Sequence, residues 1–264
     1  MAADNYPTLG APRWPATLSR LGLWGIGFGV LAAATSGPLH RLGLAGPGVA
    51  LSVLGIGLLV TVIALMLAII GFLAARSKGV AIAQGALALS IVVGLGLVGY
   101  LLSWMRTGMG VPPIHEISTD LETPPSFVAI RPLRDKPGIN PVDYVREQPG
   151  RAGQTINVPD AQRKAYPEIQ PAMLAIPMDQ AFARVENAVR SMGLEIVAAV
   201  PAEGRLEATA TTFFFGFKDD VVVRVRAEGS GARVDVRSKS RVGVGDAGTN
   251  AKRVRALLAK LRSE

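Results

Sequence analysis

The chain contains no cysteine. Disulfides, thiol catalysis and cysteine-ligated metal sites are therefore excluded. It has only two histidines, His40 and His115, far apart in sequence, which argues against a histidine-based zinc site. Acidic residues are outnumbered: 20 Asp and Glu stand against 28 Lys and Arg, for a net charge of +8. That balance favours anionic partners such as phospholipid headgroups, nucleic acid or acidic proteins. Charge is missing altogether from three long stretches, 21–39, 48–75 and 79–105. With no acidic or basic group inside any of them, a proton-coupled carrier or ion pump is disfavoured. Gln84 is the only strongly polar side chain in the third, and it reads as a partner for a neighbouring helix.

What the chain does have is apolar length. It is 49% hydrophobic with a mean hydropathy of +0.34, high for a soluble protein. Each charge-free stretch is long enough to cross a hydrocarbon core at about 1.5 Å per residue. Three transmembrane helices are expected, forming an anchor over 1–106. The first contains Gly25-x-x-x-Gly29, which permits close helix approach. Ala32-Ala33-Ala34 also allows its reading as a cleaved signal segment. Arg76, Ser77 and Lys78 leave room only for a tight hairpin between the second and third. Arg13, Arg20, Arg76 and Lys78 fall on one side, and only Arg41 in the loop between the first two spans. The positive-inside rule then puts the N-terminus in the cytoplasm and everything after Met105 outside it. The expected location is a bacterial inner membrane with the C-terminal domain periplasmic or extracytoplasmic.

Residues 107–171 are a proline-rich connector. Pro112-Pro113, Pro124-Pro125, Pro132, Pro137, Pro141, Pro149 and Pro159 forbid a continuous helix. Ile114, Ile117, Phe127, Val128, Ile130, Tyr144 and Tyr166 are too apolar for a solvated tether, so partial docking as a strap is expected.

Residues 172–264 read as an α+β domain. Met178, Ala181, Phe182, Val185, Ala188, Val189 and Met192 recur at helical spacing, with Gly193 as the stop. Strands follow over Glu195–Val200 and Arg205–Phe215, and then a hairpin. In that hairpin Val221, Val223 and Val225 alternate with Val222, Arg224 and Arg226, and Val234 and Val236 with Arg233, Asp235 and Arg237. A two-residue turn at Gly229-Ser230 pairs Val225 with Val234, Val223 with Val236, Arg224 with Asp235 and Arg226 with Arg233. One face is apolar and the other arginine-rich. A last helix carries Val254, Leu257, Leu258 and Leu261, with Asp246 or Thr249 as its cap. The expected fold is an antiparallel four-stranded sheet with two helices on one face.

Three ordered motifs mark this domain: Phe215-Gly216-Phe217-Lys218-Asp219-Asp220, Arg237-Ser238-Lys239-Ser240-Arg241-Val242-Gly243, and Asp246-x-Gly248-x-Asn250-x-x-Arg253. With them the chain resembles the family called domain of unknown function 1499. Ile114-His115-Glu116-Ile117-Ser118-Thr119-Asp120 and Pro124-Pro125 are similar to its longer, membrane-anchored bacterial members. Gly245 departs from the serine expected before the aspartate. The resemblance implies an α+β domain of bacteria and plastids, and no established activity.

Gly243-Val244-Gly245-Asp246-Ala247-Gly248 matches the dinucleotide fingerprint. That fold requires a second parallel strand ending in an acidic residue, and here only a helix follows. A glycine-rich turn is the expectation. An anion site on the helix start with Arg241 and Arg253 is the alternative, which Asp246 opposes with a carboxylate in the same place. Asp219 and Asp220 are adjacent, so in a strand they face opposite ways and cannot easily share a substrate. They are read as turn residues or as partners of Lys218, Arg237 or Lys239. Phe213, Phe214, Phe215 and Phe217 divide between core and a contact with the strap or membrane surface.

The candidate anion- or partner-binding residues are Arg224, Arg226, Arg237, Lys239, Arg241, Asn250 and Arg253. Phe217, Asp219, Asp220, Asp246 and Gly248 form a structural or polar motif. No catalytic set, cofactor or metal is implied. The first functional expectation is a membrane-anchored, non-enzymatic interaction or ligand-binding module. Its partners are the bilayer, anionic lipid headgroups or an envelope protein. The second is an enzyme on an anionic envelope substrate, with Lys239 and Arg241 holding the anion and Asp219, Asp220 or Asp246 as base. The third is a structural subunit of a membrane complex. Nucleic acid is disfavoured, because no recognised motif accompanies the basic residues.

Overall fold

The structure, a computed structural model, describes residues 12–150 and 152–263. The chain forms two compact units, Met1–Met105 and Arg106–Glu264.

Three helices build the first unit: α1 (Trp14–Arg41), α2 (Pro47–Ser77) and α3 (Gln84–Met109), which runs on past the boundary. All three are long and apolar enough to cross a membrane. Pro15 and Pro47 open α1 and α2, where a missing N–H costs nothing. α2 ends on Gly79 at φ +62°, with the Val80 amide bonded back to the Ala75 carbonyl. The connection to α3 is therefore longer than the three residues expected, and Gln84 sits exposed at the start of α3 rather than inside a span. α1 and α2 touch through small residues. A methyl group at Gly22 would lie 2.5 Å from the Ala68 nitrogen, and one at Gly29 would lie 2.1 Å from Thr61 Oγ1. Leu87 of α3 joins Ile26, Ala64, Leu65 and Ala68 in one apolar cluster.

The second unit begins its sheet early. β1 (Glu116–Ser118) precedes the one-turn helix α4 (Arg131–Arg134), the small ribbon β2 (Glu147–Pro149) and β3 (Thr155–Asn157), and helix α5 (Val158–Ala165). Then come β4 (Ala172–Leu174), α6 (Met178–Ser191), β5 (Glu195–Val200), β6 (Arg205–Thr211), β7 (Lys218–Glu228), β8 (Gly231–Ser240) and α7 (Thr249–Ser263). The main sheet has six strands, not four, in the order β1-β8-β7-β6-β5, with β4 also on β8. β1 pairs with 237–239 and β4 with 232–234 of the same β8 edge. Each is three residues long, too short for a period of two to show in sequence.

The hairpin register is the expected one: Val225 opposes Val234, Val223 opposes Val236, Arg224 opposes Asp235 and Arg226 opposes Arg233. β7 starts three residues earlier than read from sequence, so Asp219 and Asp220 lie in the strand opposite Ser240 and Lys239. β6 stops at Thr211, leaving the phenylalanines in the loop 212–217.

Val221, Val223, Val225, Val234 and Val236 pack with Phe182, Val185 and Val189 of α6 and Val254, Leu257, Leu258 and Leu261 of α7. Both helices thus cover one face. On the other, Val222 packs with Phe127 and Ile130 of the strap. The proline-rich connector is docked across the arginine-rich face.

Candidate functional site

Alternation along β7 and β8 sends residues 220, 222, 224 and 226 and residues 235, 237 and 239 to the strap side. Two of the cations among them do not face water. Arg237 is 1% exposed and Lys239 is fully buried. Both bind Glu116, which stands opposite Lys239 in the register. Arg237 donates Nη1 to the Pro125 carbonyl at 3.0 Å and Nη2 to that of Val142 at 2.8 Å, and stacks over Phe127. Lys239 Nζ donates to Glu116 Oε2 at 3.1 Å and to the Asp143 carbonyl at 2.7 Å. Burial pushes this ammonium down to about 8, against the pull of Glu116. These two cations fasten the strap and cannot meet a ligand from solution.

One step along the sheet, Asp220 is fully buried and takes two arginines. Arg134 Nη1 reaches Oδ2 at 2.9 Å, while Arg241 reaches Oδ2 through Nε at 2.9 Å and Oδ1 through Nη2 at 2.8 Å. Thr209 Oγ1 donates to Oδ1 at 2.8 Å. Arg134 also bonds the Ser240 carbonyl at 2.9 Å. A third buried carboxylate, Glu207, accepts the amides of Val128, Ala129 and Ile130 at 2.8–3.0 Å and pairs with Arg205.

The end of this face near the Gly229-Ser230 turn is open. There Asp235 and Asp120 meet Arg224, Arg226 and Arg233, with 45% of the Arg226 side chain exposed. Burial alone would raise the Asp120 carboxyl. Bonds from the Thr123 amide and hydroxyl and the Glu122 amide, with Arg224 nearby, hold it below the usual range.

On the helix side a polar island sits where β8 meets α7. Asn250 is fully buried. It accepts from Ser238 Oγ at 2.6 Å and donates to Ser240 Oγ at 2.9 Å and the His115 carbonyl at 3.1 Å. Arg253 bridges Asn250 Oδ1, Ser238 Oγ and Asp219 Oδ2. Asp246 caps α7, accepting the Gly248 amide on Oδ1 at 2.8 Å and the Asn250 amide on Oδ2 at 2.6 Å. Burial, reinforced by Asp219, raises its carboxyl above the usual range. Gly248 at φ +80° completes the turn. The glycine-rich segment is thus a capped turn, and its helix-start amides are already taken by a carboxylate.

The candidates therefore separate into three groups and one lone residue, Phe217. Asn250, Arg253, Asp219, Asp246 and Gly248 converge on the helix side. Asp220 and Arg241 meet on the strap side beside Arg237 and Lys239. Arg224 and Arg226 stand at the open end, and Phe217 stacks on Phe215 in the loop 212–217, ring centroids 4.9 Å apart. Sequence reasoning missed Arg134, Glu207 and Arg233 as organising charges, and it reached Glu116 and Asp120 only through the resemblance. Nothing local marks Arg134, which lies between prolines, 86 residues from Asp220 of β7 and 105 from Lys239 of β8.

Three side chains stand apart. His115, 5% exposed, has neither ring nitrogen hydrogen-bonded to any described residue, and Gln148 Oε1 and the Tyr144 hydroxyl are likewise without a partner among them. Burial, with Lys239, Arg134 and Arg237 around it, pushes the His115 imidazole down to about 4. No group of three or more His, Asp or Glu among the described residues is placed to hold a metal.

The model of a family described as protein of unknown function (DUF1499) matches residues 116–261. The match starts on the first residue of β1, so it takes in the strap as well as the sheet and helices. No curated protein matches the chain.

Proposed function

The chain belongs to the family of proteins of unknown function described as DUF1499, and on that premise we propose that it is a membrane-anchored, non-enzymatic interaction module presenting its C-terminal domain outside the cytoplasm. The observation that carries this reading is how the charges are used. Asp219 is tied to Arg253, Asp220 to Arg134 and Arg241, and Asp246 to the amides that open α7. A general base must be within reach of a substrate proton. These three carboxylates instead hold structure, on two different faces of the sheet. The open hollow of about 810 Å³ along the strap is lined by residues between Arg131 and Asp143, and by none of the three.

The surface left for a partner is the open end of the arginine-rich face. Arg224, Arg226 and Arg233 outnumber Asp120 and Asp235 there, with Glu228 also acting on Arg233. The cluster lies beside the Gly229-Ser230 turn. Its exposed guanidinium groups suit an acidic segment of an envelope protein.

The test is fluorescence anisotropy of a labelled oligoglutamate peptide with the detergent-solubilised full chain. Salt-sensitive binding that is lost in Arg226→Glu with Arg233→Glu is expected. Equal binding by that variant, or none by the wild type, defeats the proposed surface.

A further inference from the structure

Half of the chain's eight phenylalanines fall within five residues, Phe213, Phe214, Phe215 and Phe217. The ten residues 208–217, between Glu207 and Lys218, carry no charge. The loop they build is ordered. The Thr212 amide bonds the Phe217 carbonyl at 2.8 Å, the Phe217 amide bonds Thr212 Oγ1 at 2.9 Å, and Gly216 at φ +70° turns the chain. Phe215 stacks on Phe217 and meets Phe214 edge-on, with ring centroids 5.0 Å apart. The outcome is an apolar tip: Phe213 is 92% exposed and Phe214 is 40% exposed. Contiguous exposed apolar surface marks an interface with something less polar than water.

The sheet register says where this tip points along the strands. β6 and β7 close at Thr211 opposite Lys218. Two residues further on, Asp220 stands opposite Lys239, and Lys239 stands opposite Glu116, the first residue of β1. The aromatic tip therefore projects from the end of the sheet at which the chain arrives from α3. Only residues 110–115 lie between α3 and β1, a reach of at most about 25 Å even fully extended. A tip without charge, carried on that end and followed by the exposed Lys218, suits the boundary of acyl chains and headgroups, where phenyl rings sit below and an ammonium meets phosphate.

We propose that the 212–217 hairpin tip is a second, peripheral membrane contact, with Phe213 and Phe214 entering the interfacial layer of the bilayer that α1–α3 cross. The inference rests on those helices spanning a bilayer.

The absence of cysteine makes the test direct, because any introduced thiol is unique. Phe213→Cys, Ser230→Cys at the opposite hairpin turn, and Leu89→Cys on the exposed side of α3 are each labelled with a polarity-sensitive nitrobenzoxadiazole group. The full chain is then reconstituted in phosphatidylethanolamine–phosphatidylglycerol vesicles carrying doxyl-labelled lipid. Blue-shifted emission and doxyl quenching are expected at 213 and 89, with water-like, unquenched emission at 230. Water-like emission at 213 with quenching intact at 89 overturns the tip contact and leaves the anchor standing. Blue-shifted but unquenched emission at 213 means that protein covers the tip, a second copy included, and also overturns it. Loss of quenching at 89 means that the helices are not in the bilayer, which removes the anchor and the tip contact together. Lipid quenching at 213 that weakens in Phe214→Ser confirms that both rings enter.

Discussion

Arg134 Nη1 and Asp220 Oδ2 meet at 2.9 Å with neither side chain exposed. Asp220 belongs to the sheet and Arg134 to the strap, so this pair joins segments 86 residues apart. Removing one partner of a buried pair strands the other's charge, at a cost of about 3–5 kcal/mol. Against the roughly 5–15 kcal/mol stability of an ordinary domain, that is a large share. Asp220→Asn is therefore expected to loosen the strap before the helix side, with protease cleavage appearing first between residues 119 and 150. Arg134→Met in the same chain removes the stranded cation and should recover part of the loss. A double-mutant cycle on unfolding of the full chain in detergent checks it, and two additive effects would mean the pair is not coupled.

Acid sensitivity should come from His115. Its imidazole is held at about 4 in the folded chain, below the ordinary imidazole value of 6.5. Above pH 6.5 both states are neutral there and this group gives no pH dependence. As pH falls from 6.5 toward 4, the unfolded chain binds a proton that the folded chain refuses, so stability drops by up to roughly 3 kcal/mol. Below about 4 the contribution levels off. Asp246 acts with opposite sign, because a carboxyl raised in the fold adds stability that is present at low pH and lost as pH rises through its folded value. His115→Leu should flatten the stability profile between pH 6.5 and 4.5, read by hydrogen exchange of β7 and β8 amides. An unchanged slope would place the acid sensitivity elsewhere.

The β7–β8 hairpin was legible because its alternation runs over ten residues and a slip would mix valine with arginine. The helix face followed from the same pattern. The opposite face was not legible, because whether Arg224 or Arg237 meets water depends on a segment about a hundred residues away. Arg237 and Arg224 look alike in sequence, yet one is 1% exposed and the other opens to solvent. Strap docking could be expected from Phe127 and Ile130, whose rings and branches have no place in a solvated tether. Pairing of 116–118 and 172–174 with β8 could not, since three residues carry no usable period. Asp246 declared itself as a cap by its place before Gly248 and Thr249, whereas the Asn250 hub needed β8 and α7 brought together.

The packing of α1 on α2 makes its own forecast. A methyl group at Gly29 would sit 2.1 Å from Thr61 Oγ1 and 2.6 Å from the Gly57 carbonyl. Neither backbone can yield without parting the helices, and van der Waals contact between small residues is what holds such pairs together in lipid. Gly29→Leu is expected to separate α1 from α2. Ile26 of α1 and Leu65 of α2 pack in one apolar cluster, so Ile26→Cys with Leu65→Cys reports the contact through a short bis-thiol cross-linker. Cross-linking should be efficient in that pair and fall sharply when Gly29→Leu is added. Undiminished cross-linking would mean the interface tolerates a large side chain at its tightest point.

The side of the membrane on which the domain sits follows from helix count and charge together. Crossings by α1, α2 and α3 would put the start of α1 and the second unit on opposite sides of a membrane. Arg13, Arg20, Arg76 and Lys78 flank one side, against Arg41 and Arg106 on the other. Short loops rich in lysine and arginine stay in the cytoplasm, so the second unit is expected outside it. A C-terminal reporter active only outside the cytoplasm should be active. Cleavage after Ala34 would not change that outcome, because the mature chain would then begin outside and cross twice more. Moving the cations, with Arg76→Gln and Lys78→Gln and new arginines beside Arg41, should reduce reporter activity by dividing the population between orientations. An expressed but inactive wild-type fusion would overturn the assignment. It would require the domain to share a side with the Arg76 loop, and it would return the Arg224–Arg226–Arg233 end to cytoplasmic partners, nucleic acid included.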